Sequence, residues 1–170
     1  MSVSEIHHAA ITVSDLDASA AFYQQVLGFK RTLEMPIIDP ETIQTMGLPE
    51  GARGQSLYLQ GPTRIGQLEL IQWSVRPDTP PKPLRAPTPG VFLLSFETTS
   101  EEIDAIYARI DPAKITVACP PRRSVLENYG EITVMIVEDP DGLMIELVAL
   151  PTRDQIMAFR AAQKDPTAQP

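Results

Sequence analysis

Apolar residues recur along the chain in two periods, one typical of strands and one typical of helices. Runs of β-forming residues predict eight strands, and apolar residues at helical spacing predict three helices. The order strand, helix, strand, strand, strand occurs twice, and the third helix follows the second set. The predicted strands are 6–13, 29–35, 55–60, 67–73, 91–98, 115–118, 132–138 and 143–149, and the predicted helices are 16–27, 100–110 and 152–164.

Three segments without such a period divide the chain. Residues 36–54 form a long loop or contain a short helix near 41–46, and residues 120–130 are predicted as a polar loop. Between Pro77 and Pro89 six prolines predict a stiff, extended connection. We therefore predict four parts: a first module at 1–76, a linker at 77–90, a second module at 91–150, and a C-terminal helix and tail at 151–170.

Composition narrows the class of protein. Hydrophobic residues make up 43% of 170 residues, which is ample for a core. A net charge of -8 and a pI near 4.7 argue against a nucleic-acid partner. No apolar run approaches the roughly 18 to 20 residues of a membrane span, and the start lacks a targeting pattern, so we expect a cytoplasmic protein with no membrane contact. The single cysteine, Cys119, is expected to be a small core residue.

Two predicted strands each carry one carboxylate among aliphatic residues. Glu146 follows the turn Asp139-Pro140-Asp141-Gly142 and lies between Ile145 and Leu147, and Glu69 lies between Leu68 and Leu70. An unpaired carboxylate in such surroundings is costly. Each glutamate is therefore expected to be solvated in a cleft, protonated, paired or bound to a cation.

Several short motifs together resemble the vicinal oxygen chelate superfamily, which includes glyoxalase I, methylmalonyl-CoA epimerase, extradiol dioxygenases and bleomycin-resistance proteins. These motifs are the segment His7–Asp15, the steps Phe22-Tyr23 and Leu27-Gly28-Phe29, the two strands with Glu69 and Glu146, and the turn at 139–142. The resemblance implies an α+β fold in which two βαβββ half-units form paired half-barrels, followed by the C-terminal helix. It also implies a divalent metal in the cleft.

The resemblance places metal ligands on the first and fourth strands of each half-unit. Position by position, the ligands fall on His8, Glu69 and Glu146, and the fourth position falls on Leu93, which cannot bind metal. Such a set suits Zn²⁺, Mn²⁺, Fe²⁺ or Ni²⁺. A two-histidine iron site is not expected, because His7 should face away from His8 on a strand. Two alternatives stay open: His8 is a ligand or a hydrogen-bonded cleft residue, and the two glutamates bind metal or pair with polar groups.

Two functions follow from this site. The first is a lyase or isomerase that moves a proton on a small carbonyl or thioester substrate, with Glu69 and Glu146 as catalytic residues. The alternative is a metal-free protein that sequesters an apolar ligand, for which Leu93 is better suited. Tyr58, Tyr129 and Trp73 are candidates for lining the pocket or for core packing. The expected partners are a small molecule and, as in resembling proteins, a second copy in a homodimer.

Overall fold

The computed structural model describes residue 3, residues 5–79 and residues 82–164. It divides into two compact units, Met1–Pro83 and Leu84–Pro170, called here the first and second unit. The division falls inside the proline-rich stretch 77–90, of which Pro80 and Pro81 lie outside the described residues, as does the predicted tail at 165–170.

The first unit is one four-stranded sheet with two helices. The elements are β1 (His8–Thr12), α1 (Leu16–Leu27), β2 (Lys30–Ile37), α2 (Pro40–Thr45), β3 (Gly54–Gln60) and β4 (Gln67–Trp73). The strand order is β1-β4-β3-β2, in which β1 is parallel to β4 and the other pairs are antiparallel. The short helix α2 lies in the segment for which the sequence left a loop or a helix open.

The second unit repeats this topology. Its elements are β5 (Leu93–Glu97), α3 (Ser100–Arg109), β6 (Val117–Leu126), β7 (Gly130–Glu138), β8 (Met144–Ala149) and α4 (Arg153–Lys164). The sheet has the order β5-β8-β7-β6, with β5 parallel to β8. The predicted α+β fold of two βαβββ half-units with a C-terminal helix is therefore confirmed. None of the helices in the described ranges is long and apolar enough to span a membrane.

Helix α1 begins and ends where the sequence predicts. The side chain of Asp15 accepts a hydrogen bond from the amide of Ala18 at 2.9 Å, and Gly28 ends the helix with a φ of 68°. The apolar face of α1 is buried, including Tyr23 and Val26, and α1 packs on β3 and β4. Because side chains alternate along a strand, this packing leaves the opposite face of β3 and β4 to Ser56, Tyr58, Glu69 and their neighbours.

The polar loop predicted at 120–130 is wrong. Strand β6 continues through Pro120 and Pro121 to Leu126, and the turn to β7 is only three residues long, 127–129. Proline cannot donate to a strand ladder, so it is tolerated on edge strands and at bulges. Strand β6 is an edge strand, and its register with β7 shifts between Cys119 and Arg122, at the two prolines. The two prolines therefore ended the predicted strand at residue 118, although the strand itself continues through them.

The end of the proline-rich stretch is fastened to the second unit by Arg85. Its guanidinium donates to the carbonyl oxygens of Leu84 and Gly142 at 2.9 Å and 2.8 Å, and to the carboxylate of Glu138 at 2.7 Å. Glu138 and Gly142 flank the turn that precedes β8. The segment predicted as a stiff, extended connection is thus bound, at this point, to the turn that leads into the strand of Glu146.

Candidate functional site

The two glutamates predicted from sequence occupy equivalent strands of the two units. Glu69 lies on β4 and Glu146 lies on β8, each on the last strand of its sheet in chain order. Both side chains are on the sheet face opposite the buried leucines and isoleucine that flank them.

Glu69 is surrounded by three polar side chains from its two neighbouring strands, β1 and β3. Its Oε1 accepts a hydrogen bond from the hydroxyl of Ser56 at 2.7 Å, and its Oε2 lies 3.4 Å from Nε2 of His8. Tyr58 lies directly opposite Glu69 in the β3–β4 ladder, and its ring meets that of His8 edge to face. We call these four residues, His8, Ser56, Tyr58 and Glu69, the Glu69 cluster. The carboxylate, 13% exposed, is thereby oriented and satisfied within a polar cluster.

The ring of His7 also contacts the cluster, contrary to the expectation that it faces away. His7 precedes β1, so strand alternation does not fix its direction. Its Nδ1 lies 2.9 Å from Nδ1 of His8, and the two rings meet edge to face. One of the two nitrogens must carry the proton and the other must accept it. The tautomer of His8 is therefore linked to that of His7.

The pKa of Tyr58 is raised above its ordinary value of 10.0, first by burial and then by its hydrogen bond to Glu69 and the charge of that carboxylate. A raised folded-state pKa favours the protonated phenol, so the stability this group contributes is fully present below pH 10 and is lost as pH rises above it. We expect the urea midpoint of the protein to fall more steeply between pH 9 and pH 11 than that of Tyr58→Phe. Equal falls in the two proteins would contradict this assignment.

A cavity of about 980 Å³ lies against the Glu69 cluster within the first unit. His8 and Glu69 line it, and most of its other lining side chains are apolar. These apolar side chains come from β2, the segment around α2, and the end of β4: Met35, Ile37, Ile38, Met46, Leu48, Ile71, Trp73 and Val75. An apolar cavity with a few polar groups clustered in one part of its wall is typical of small-molecule sites.

Glu146 has a simpler environment in the second unit. Its Oε2 accepts a hydrogen bond from the hydroxyl of Ser95 at 2.6 Å, and Ser95 is its partner across the β5–β8 ladder. Ile136 lies opposite Glu146 on β7, and Val148 follows on the same face. One hydroxyl among half-buried aliphatic side chains therefore replaces the polar cluster found around Glu69.

The strand registers identify the counterpart of His8. In the first unit His8 pairs with Gln67, two residues before Glu69, and in the second unit Leu93 pairs with Met144, two residues before Glu146. Leu93 thus holds the backbone position of His8, as the sequence match predicted. Among the described residues no three His, Cys, Asp or Glu side chains form a group that could hold a metal ion. The three-residue ligand set therefore remains a prediction.

Sequence reasoning missed Ser56 and Ser95, the hydroxyl partners of the two glutamates. Tyr58 and Trp73 were candidates for the pocket, and the structure places both on the site face of the first sheet, whereas Tyr129 lies in the turn between β6 and β7. Serine at a strand position carries little signal by itself. The signal that could have found Ser56 is its alternation with Leu57 and Leu59, which places it on the face of Glu69 once the register is known.

The fold and the Glu69 cluster define a class of protein: repeated βαβββ units in which the last strand of each sheet presents a glutamate. The chain belongs to the Glyoxalase/Bleomycin resistance protein/Dioxygenase superfamily, whose family model matches residues 5–147. This confirms the family suggested by the sequence motifs.

Named relatives are similar over most of their length. The virulence protein STM3117 of Salmonella typhimurium is 30% identical over 147 residues, covering 86% of this chain and 85% of that protein. The uncharacterized protein YaeR of Escherichia coli K12 is 29% identical, covering 86% of this chain and 97% of that protein. A solved glyoxalase family protein from Bacillus cereus superposes with a TM-score of 0.72 at 15% identity, over 89% of this chain and 97% of that one, which shows the shared fold.

Proposed function

We propose that the protein is a metal-assisted lyase or isomerase that moves a proton on the carbon next to the carbonyl of a small carbonyl or thioester substrate. The observation that supports this most is the Glu69 cluster. A carboxylate that is held by Ser56 and lies opposite Tyr58, at the wall of an apolar cavity, is oriented for proton transfer.

The two oxygens of Glu69 have different tasks in this proposal. Oε1 is held by the hydroxyl of Ser56, which fixes the plane of the carboxylate. Oε2 takes the proton from the substrate carbon, and the electron pair of the broken C–H bond moves onto the carbonyl oxygen, which gives an enolate. Return of the proton to the other face of the same carbon completes an epimerisation. Where that carbon also bears a hydroxyl, the hydroxyl proton moves to the former carbonyl oxygen, and the proton on Glu69 returns to the former carbonyl carbon, which completes an isomerisation. Glu146 is proposed as the second proton-carrying carboxylate.

His8 and Glu69 fit the divalent metal that the family resemblance implies. Two ligand atoms about 2.1 Å from a tetrahedral ion are about 3.4 Å apart, and Nε2 of His8 and Oε2 of Glu69 are separated by 3.4 Å. We propose His8 and Glu69 as two of its ligands, with Zn²⁺, Mn²⁺, Fe²⁺ or Ni²⁺ as the ion, and Glu146 stays the third ligand that the sequence predicts. Oε2 of Glu69 would leave the ion when it takes the proton from the substrate. A bound ion would polarise the substrate oxygens and stabilise negative charge on them. His7 would then accept the Nδ1 proton of His8 and hold its ring.

Deuterium exchange tests this function before the natural substrate is known. The protein is reconstituted separately with each of the four metals and incubated in D₂O with a 2-oxoaldehyde hemithioacetal or a 2-methylmalonyl thioester. We expect catalysed deuterium incorporation next to a carbonyl, detected by NMR, and bound metal by plasma mass spectrometry. His8→Ala should lose both. Exchange no faster than without protein, for every metal and both substrates, would contradict the proposal.

A second candidate function is sequestration of an apolar ligand without a metal. It is favoured by Leu93, which holds the backbone position of His8 in the second unit, and by the apolar lining of the first-unit cavity. This candidate differs in its dependence on metal: a bound ligand would raise the melting temperature equally with and without chelator, and would be recovered unchanged. The expected homodimer also stays a prediction.

A further inference from the structure

The indole of Trp73 is fixed at one end by a hydrogen bond. Trp73 is the single tryptophan of the chain, and it lies at the end of β4 and lines the first-unit cavity. Its Nε1 donates to the hydroxyl of Thr12 at 3.2 Å. Thr12 is on β1, so this bond draws the pyrrole side of the indole toward the strand on one side of β4.

The other end of the indole rests on Gly54, on the opposite neighbour of β4. Gly54 pairs with Trp73 across the β3–β4 ladder. A Cβ atom at Gly54 would lie 2.6 Å from Cζ3 and 2.7 Å from Cε3 of Trp73, closer than side-chain atoms tolerate. The φ of Gly54 is outside the left-handed region, so the space taken by the indole, and not the backbone conformation, accounts for a glycine here.

These two contacts set the direction of the ring. Strands β1 and β3 flank β4, so an indole that touches both must lie across β4, along the sheet surface. An indole that lies along the sheet has its other face directed away from the sheet, on the side where Trp73 lines the cavity. Because the ring is already held at both ends, a ligand that stacks on it need not immobilise the side chain.

We propose that this cavity binds ligands with a planar aromatic group that stacks on Trp73, while their adjacent oxygens lie at His8 and Glu69. Only the placement of the oxygen-bearing end rests on the proposed function. Glu69 and Trp73 are four residues apart on the same face of β4, which is about 13 Å along the strand. The ligand is therefore extended, and a short apolar spacer that lies over Ile71 separates its aromatic group from its oxygens.

Two compounds that share a headgroup test the stacking. Both 2-oxo-6-phenylhexanoate and 2-oxohexanoate carry the same 2-oxo acid, and only the first carries a phenyl ring, on a four-carbon spacer. We expect calorimetry to show at least about 10-fold tighter binding of the phenyl compound, since aromatic stacking adds to the burial of the ring. We also expect the phenyl compound to quench the fluorescence of Trp73, and the affinity from this titration to equal the affinity from calorimetry. Equal affinity for the two compounds, or no binding of either, would overturn the proposal.

A matched pair of glycine variants locates the effect. Gly54→Ala should lift the indole and weaken binding of the phenyl compound at least about 10-fold. Gly61→Ala makes a similar clash elsewhere in the first unit, 2.8 Å from Cε1 of Phe29, and neither residue is among the described residues that line the cavity. It should leave binding unchanged. Thr12→Val, which removes the hydrogen bond without a clash, should give an intermediate loss.

These readouts separate stacking from catalysis, because they measure binding without turnover. Loss of affinity in Gly54→Ala, together with no deuterium exchange for any substrate, would support the aromatic site and contradict the proposed function. Unchanged affinity in Gly54→Ala would overturn the aromatic site, whatever the exchange experiment shows.

Discussion

Glu69→Gln is expected to slow deuterium incorporation into the substrate by about 100- to 10,000-fold, the range for loss of a general base. Glutamine keeps the shape of the side chain, and its amide oxygen can still accept from Ser56. It cannot take a proton, and it is a poorer ligand for a cation beside His8. The measurement is the rate of exchange by NMR, with melting temperature as a check of folding.

Glu34→Gln is the matched control for this variant. Glu34 is an exposed carboxylate on β2 of the same sheet, and it accepts a hydrogen bond from the side chain of Gln55 at 3.2 Å. Removing its charge changes the net charge of the protein by the same amount. We expect its exchange rate to match that of the unaltered protein. If Glu69→Gln also exchanged at the full rate, Glu69 would not be the base.

Asp139→Ala is expected to lower the free energy of unfolding by about 2 to 4 kcal/mol, because two backbone amides lose their acceptor. Asp139 is 4% exposed, and its Oδ1 accepts from the amides of Asp141 and Leu143 at 3.0 Å and 2.8 Å. These bonds close the turn that leads into β8. Urea denaturation followed by circular dichroism measures the change, provided that the slope of the transition is unaltered.

Asp139→Asn removes the charge of the side chain but keeps an oxygen that can accept hydrogen bonds. Asparagine keeps an oxygen in the place of Oδ1, so both amides can remain bonded. We expect it to lose less than half of the stability lost in Asp139→Ala. An equal loss in the two variants would mean that the charge of Asp139, and not its hydrogen bonds to the turn, carries the stabilisation.

The periodic elements of this fold were predictable because each depends on residues close in sequence. Helix α1 has its cap, its apolar stripe and its glycine stop within one segment, and β4 has the predicted bounds Gln67–Trp73. The prediction for β6 was wrong because Pro120 and Pro121 are tolerated in this strand by its position at the edge of the sheet. That position is a property of the whole sheet.

The partners of the site residues depend on pairing between distant strands, which local patterns do not encode. Ser95 contacts Glu146 across 51 positions of sequence, and Gly54 meets Trp73 only because β3 and β4 pair in one register. Glu69 was found from its aliphatic neighbours in the sequence, and His8 was assigned to the same site because the family resemblance supplies the strand pairing. The contacts of Arg85, which lie 53 and 57 positions away, were not predicted, because neither a local pattern nor the resemblance indicates them.

The β1–β4 and β5–β8 ladders have the same register, so the two units contain equivalent backbone positions that can be compared. Leu93 occupies the same backbone position relative to Glu146 that His8 occupies relative to Glu69. A histidine grafted by Leu93→His would give the chain the same pair of residue types twice, once among hydroxyls and once among aliphatic side chains. The influence of surroundings on one imidazole–carboxylate pair could then be compared inside a single polypeptide, in one solution.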